Sequence, residues 1–150
     1  MLSQLYYIYA CELFANCDSV SKNKLNVLYN NIARYIFNRK RFSSISDYSK
    51  RIFEIKFDDL LKLRTLTLLH KIIYKKQPDY LYDRLRFTRS VRNNKIVPIK
   101  HSSLISERQF FLFATRLWNS LPSNLTFINS AVLFKNQLLK HFKNSYSSQN

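Results

Sequence analysis

The chain has 150 residues, long enough for one domain with a core of its own. Lysine and arginine number 25 against 9 acids, a formal charge of +16, while hydrophobic residues make up 46% and aromatics 15%, which excludes a disordered tail by composition. Glycine is absent, which excludes a glycine-rich phosphate loop, a dinucleotide fingerprint and a nucleophile elbow, because each needs backbone that only glycine provides.

Without glycine, left-handed helix ends fall to asparagine, and Asn16, Asn38, Asn93 and Asn94 are the candidates. The first apolar stretch predicts a helix over about Leu2 to Phe14. It is too short to span a bilayer, Glu12 interrupts it, and it has neither a basic leader nor a small-residue cleavage site. The expected location is therefore nuclear or cytoplasmic, not secreted, with no membrane partner. Cys11 and Cys17 lack paired zinc spacing, and His70, His101 and His141 are scattered, so two reduced thiols, no metal and no cofactor are expected. Each histidine reads as partly exposed or at the edge of the core.

A second helix is predicted from about Ser19 to Phe37, capped by Ser19 or Ser21, with Leu25, Leu28, Ile32 and Ile36 as its core face. The cationic run Arg39, Lys40 and Arg41 follows it, then a serine-rich turn or brief helix from Ser43 to Ser49. A third helix is predicted from about Asp58 to Lys76. Leu61, Leu66, Leu68, Leu69, Ile72 and Ile73 cover nearly half its circumference, as in a central helix with more than one neighbour. Arg64, Lys71 and Lys75 lie opposite within an arc of roughly 40°. They form either a phosphate-tracking stripe or an ordinary solvated face. Pro78 ends the helix and opens a short new one.

From Arg84 to His101 the helical period breaks. β-branched residues alternate with basic ones around Asn93 and Asn94, predicting a short β-hairpin or an extended basic segment. Arg84, Arg86, Arg89, Arg92, Lys95 and Lys100 crowd together here without one acid between them. Two readings fit: a basic ribbon against phosphates with Phe87 available for base stacking, or an exposed loop whose charge keeps strand edges apart.

Phe110, Phe111 and Phe113 lead into the string RLWNSLPSNL, Arg116 to Leu125. Trp118, the only tryptophan, reads as a core anchor and Pro122 as a helix stop. A last helix starts at Ser130 as N-cap and places Ala131, Phe134, Leu138 and Phe142 on one stripe, and residues 143–150 read as a disordered tail. The overall expectation is a mainly α protein: a single small helical domain over residues 1–142 with the one irregular basic segment.

The string around Trp118, Asn119, Leu121 and Pro122, with Phe134 in the helix beyond, resembles the C-terminal tail of reverse transcriptases from non-LTR retrotransposons of the jockey type. LNVLYNNIARYIF from Leu25, LLKLRTLTLLHKIIYKKQPDYL from Leu60, and Arg108, Phe110 and Phe111 fall in the family's order, over roughly Tyr6 to Phe142. Where the family often has a glycine or alanine followed by proline before the tryptophan element, this chain has Ala114 followed by Thr115. The resemblance implies a segment beyond palm and thumb, with Met1 opening inside an ancestral domain. The family's chemistry sits in an upstream palm, on an aromatic-x-Asp-Asp hairpin. The one acidic pair here, Asp58 and Asp59, runs directly into helix-forming leucines and reads as a helix start rather than a metal pair.

The resulting expectation is a non-catalytic fragment that binds RNA or DNA by charge. Arg84, Arg86, Arg89, Arg92, Lys95 and Lys100 are the main contacts, Arg39, Lys40 and Arg41 the second set, and the polymerase portion of a reverse transcriptase is a further partner. The alternatives are a helical protein-interaction or scaffold module, whose tryptophan turn and last helix dock onto a partner, and a degenerate transposon-derived reading frame.

Overall fold

The computed structural model describes residues 17–44, 55–88, 94–98 and 110–147. The predicted first helix, Asn16, Cys11, Asn93, His101 and most of the serine-rich stretch lie outside them. So do Arg89, Arg92 and Lys100 of the basic segment.

Among the described residues six helices form in chain order: α1 (Ser19–Ile36), α2 (Phe57–Lys75), α3 (Asp79–Tyr82), α4 (Phe110–Ser120), α5 (Ser123–Thr126) and α6 (Ala131–Ser147). The protein is mainly helical, as its periodicity implies. α2 is the centre and packs against both α4 and α6. Its buried side chains run around much of the helix: Leu61, Leu63, Thr65, Leu66, Leu69, His70, Ile72 and Ile73. Thr65 and Thr67 turn their hydroxyls back onto the carbonyls of Leu61 and Leu63, so neither brings an unpaired polar group into the contact.

Asp58 and Asp59 lie in the first turn of α2, where carboxylates oppose the positive end of the helix dipole. Asp58 pairs with Lys22 of α1 at 3.3 Å, and Asp59 with Lys62 at 2.8 Å. At the other end Lys76 takes the left-handed conformation at φ 53°, a position that glycine usually fills. Pro78 then caps α3.

The main core joins α2, α4 and α6 through Leu66, Leu69, Ile72, Ala114, Trp118, Phe134 and Leu138. Each fully buried leucine or isoleucine contributes about 1.5–3 kcal/mol of transfer free energy. Phe111 is buried, and Phe110 and Phe113 are half-buried against apolar neighbours, so this aromatic cluster belongs to the interior. In α6, Phe134 and Leu138 are fully buried while Ala131 and Phe142 lie at the edge. Ser130 Oγ accepts the Leu133 N–H at 3.5 Å, as an N-cap does. α6 continues to Ser147, into the segment expected as a tail.

Further sequence expectations about local structure need correction. No strand forms among the described residues. The expected β-hairpin is reduced to one antiparallel bridge between Phe87 and Ile96. α1 is capped by Asp18, whose carboxylate accepts the Ser21 N–H at 3.4 Å, and not by Ser19 or Ser21. The core face of α1 is also rotated. Tyr29 and Ala33 are its buried residues, whereas Leu28 and Ile36 are 45% and 44% exposed. Tyr29 meets Phe57 at a centroid distance of 5.0 Å, and this contact with the start of α2 sets which side faces inward.

Candidate nucleic-acid interface

After α3 the chain turns through Asp83 and Arg84, and the buried Leu85 anchors it to the core. Alternation does the rest. Phe87 packs against the core, with Tyr82 at 6.4 Å, and Ile96 is buried opposite it. Arg84, Arg86 and Lys95 are exposed. The bridge is closed by Thr88 N–H donating to Lys95 O at 3.0 Å and Val97 N–H donating to Arg86 O at 2.6 Å. Arg86 and Lys95 are out of phase with the inward pair, so the pleat directs both to the outer face. Phe87 is committed to its packing and is not the free stacking ring that the sequence offered.

The tryptophan turn holds this segment from behind. Trp118 Nε1–H donates to Asn94 O at 2.7 Å. The next residue, Asn119, accepts the Ile96 N–H through Oδ1 at 2.9 Å and donates from Nδ2 to Ile96 O at 2.8 Å. One side-chain amide thereby satisfies both backbone groups of a buried residue, as a neighbouring strand would. This explains why the segment stays extended without a sheet.

Asn94 ties the same segment to α2 and α5. Its Nδ2 donates to Tyr74 Oη at 3.3 Å and to Thr126 O at 3.1 Å, and Tyr74 Oη–H donates to Thr126 O at 2.7 Å. Burial pushes the Tyr74 phenol above its ordinary pKa of 10.0, partly offset by the bond from Asn94, so it stays protonated and able to donate. Leu121 is buried, and Pro122 separates α4 from α5 by serving as the N-cap of the latter.

His70 completes the support. Its Nε2 lies 2.6 Å from Ile128 O, which can only accept, so Nε2 carries the proton. The ring stacks on Phe134 at 4.3 Å and lies 6.3 Å from Trp118. Nδ1 is buried with no hydrogen-bond partner. Burial lowers the His70 pKa below 6.5, against the smaller raising effect of the Ile128 bond. His70 is therefore a fully buried core residue, not one at the edge; His141 is exposed.

The second expected set, Arg39, Lys40 and Arg41, is exposed just beyond α1, on a different part of the chain from the clamped segment. Along α2, Lys71 and Lys75 are exposed, but Arg64 is half-buried with its Nε turned inward, which breaks the expected stripe. No group of three or more histidine, cysteine or acidic side chains could hold a metal ion among the described residues. Nor is any helix there long and apolar enough to cross a membrane.

No protein-family model, curated protein or solved structure matches this chain. The sequence reading passed over Asn94, Tyr74 and His70 as parts of this assembly. Asn94 carried only a turn signal, and the apolar period of α2 gave no sign that its two polar residues converge on the tryptophan turn.

Proposed function

We propose that this chain is a non-catalytic nucleic-acid-binding module, the C-terminal segment of a retrotransposon reverse transcriptase, which holds RNA or DNA through the phosphate backbone. The observation that carries the reading is the clamp. Trp118 and Asn119 grip the backbone of Asn94 and Ile96 and leave Arg86 and Lys95 on the outer face. No acid lies between Arg84 and Lys100, so within that span the segment offers phosphates cations alone. A pre-positioned cationic segment loses less conformational freedom on binding than a loose one. Arg89, Arg92 and Lys100 add three cations to the same stretch of sequence, and the formal charge of +16 favours the same class of partner.

The test is binding of the full chain to single-stranded RNA and to duplex DNA across a salt series. Affinity should fall steeply between about 50 and 200 mM salt, with little sequence preference. Affinity that stays flat across that range overturns the proposal.

A second reading is docking onto a protein, including the polymerase portion of a reverse transcriptase. It cannot use Trp118, Phe134 or Leu138, which the chain's own core consumes. Its support is that Phe127, Val132 and Leu133 are exposed near the start of α6. Size-exclusion chromatography with light scattering separates the two: a monomer that binds nucleic acid favours the first.

A further inference from the structure

α1 contains no acidic residue and ends in a knuckle that its own hydrogen bonds hold in shape. Asn38 turns the chain through the left-handed region at φ 49°. Arg39 N–H donates back to Arg34 O at 2.8 Å. Arg34 then reaches across the turn. Its Nε–H donates to Ser43 O at 3.1 Å while Nη1 donates to Asn31 Oδ1 at 2.9 Å. Ser43 closes the loop, its N–H and its hydroxyl both donating to Lys40 O, at 3.0 and 2.8 Å. Both ends of the turn are thus tied to the last turns of α1.

This frame presents two aromatic rings to solvent. Tyr35 is 88% exposed and Phe42 is 91% exposed, the most open of the large hydrophobic side chains among the described residues. Arg39, Lys40 and Arg41 are exposed between them, and the Arg41 guanidinium lies 5.7 Å from the centre of the Phe42 ring. Apolar area this open gains free energy when covered. The surrounding charge selects an anionic partner that also has flat faces to offer.

We propose that residues 35–42 form a binding subsite for unpaired nucleotides, with bases stacking on Tyr35 and Phe42 and the phosphates between them held by Arg39, Lys40 and Arg41. Alternating bases and phosphates fit alternating rings and cations, and a duplex does not, because its base faces are covered by their neighbours. The inference rests on the nucleic-acid reading above and adds to it a preference for single strands, carried by a different part of the chain from the clamped segment. Arg39 to Arg41 supply charge in either reading. The rings are what make the knuckle selective.

The test compares binding of an oligouridylate of about 12 nucleotides with binding of a DNA duplex of similar charge, for the full chain and for Tyr35→Ala, Phe42→Ala and the double variant. Each loss of a ring should weaken oligouridylate binding by about 5- to 30-fold and leave duplex affinity and its salt dependence unchanged. Tyr35→Phe and Phe42→Tyr should restore binding, since the stacking surface remains. Far-UV circular dichroism should be the same for all variants, because neither ring is buried. Alanine variants that bind oligouridylate as the parent does overturn the subsite and leave the proposed function standing. So does displacement of oligouridylate by polyglutamate that is equal with and without the rings, which marks a general anion or acidic-peptide patch. No binding of either nucleic acid by the parent chain overturns both.

Discussion

Asn119 satisfies Ile96 completely, taking its N–H at 2.9 Å and giving a proton to its carbonyl at 2.8 Å, across 23 residues of sequence. The pair does the work of a strand ladder with one side chain. It converts the residue after the tryptophan from a turn former into the support of the basic segment.

Asn119→Ala should therefore destabilise the protein by about 2–3 kcal/mol, because it strips two partners from backbone groups of a buried residue. Urea unfolding measures the loss. Amide exchange at Ile96 should quicken more than at Leu69 in the centre of α2. Asn119→Asp should not rescue, since a carboxylate keeps an acceptor for the N–H but sets negative charge against the carbonyl.

Trp118 has two separable contributions, apolar burial and the bond from Nε1 to Asn94 O. Trp118→Phe keeps most of the first and should cost about 1–3 kcal/mol. Trp118→Ala loses both and should cost about 3–5 kcal/mol. Chemical denaturation of the two variants gives the comparison. If Trp118→Phe costs nothing, the hydrogen bond matters less than this geometry implies; if Phe and Ala are equally costly, the apolar burial does.

The buried His70 makes stability depend on acid. Its native pKa lies below the ordinary 6.5, so the unfolded chain takes up a proton more readily than the native one. The stabilisation is complete above about pH 6.5 and is lost as pH falls from there toward the native value, by at most about 1.4 kcal/mol per pH unit. Protonation also places a second N–H at Nδ1, where no acceptor waits. Unfolding midpoints measured at about pH 7.5 and pH 5.5 should differ, and His70→Gln should flatten the difference. A variant that keeps the full acid dependence would assign it elsewhere.

The paired acids at the start of α2 should be indifferent to metal. Asp58 pairs with Lys22 on the surface, so Asp58→Asn should change stability by less than about 1 kcal/mol. Asp59 is nearly buried and pairs with Lys62, so Asp59→Asn should cost more than Asp58→Asn. Magnesium or manganese should not raise the melting temperature of the parent chain. A rise that Asp58→Asn abolishes would restore the metal reading of this pair.

Much of the helical framework was legible because periodicity reports burial wherever one face dominates. In α2 and α6 the apolar stripes anticipated much of the buried face, and Pro78 and Pro122 marked real breaks. α1 misled for an identifiable reason. It carries apolar residues on both sides, Val20, Val27, Leu28 and Tyr35 on one and Leu25, Tyr29, Ile32 and Ala33 on the other. Spacing alone could not say which side faces Phe57. Asn38 at a left-handed helix end was foreseeable in a chain without glycine, whereas Lys76 in the same conformation was not.

The candidate site divides the same way. The crowding of cations from Arg84 to Lys100 and the run Arg39 to Arg41 are properties of the chain itself, and so is the net charge on which the proposed polyanion partner rests, since charge survives any fold. What holds Arg86 and Lys95 outward belongs to the tertiary structure alone. Trp118, Asn119, Asn94 and Tyr74 meet only when α2, α4 and the segment before α4 are packed, and no local period records that meeting. Periodicity and composition act over a few residues and so determine helices and net charge. Hydrogen bonds that close over 20 to 32 residues, such as Asn94 to Tyr74 and Thr126, exist only after the core has brought their ends together.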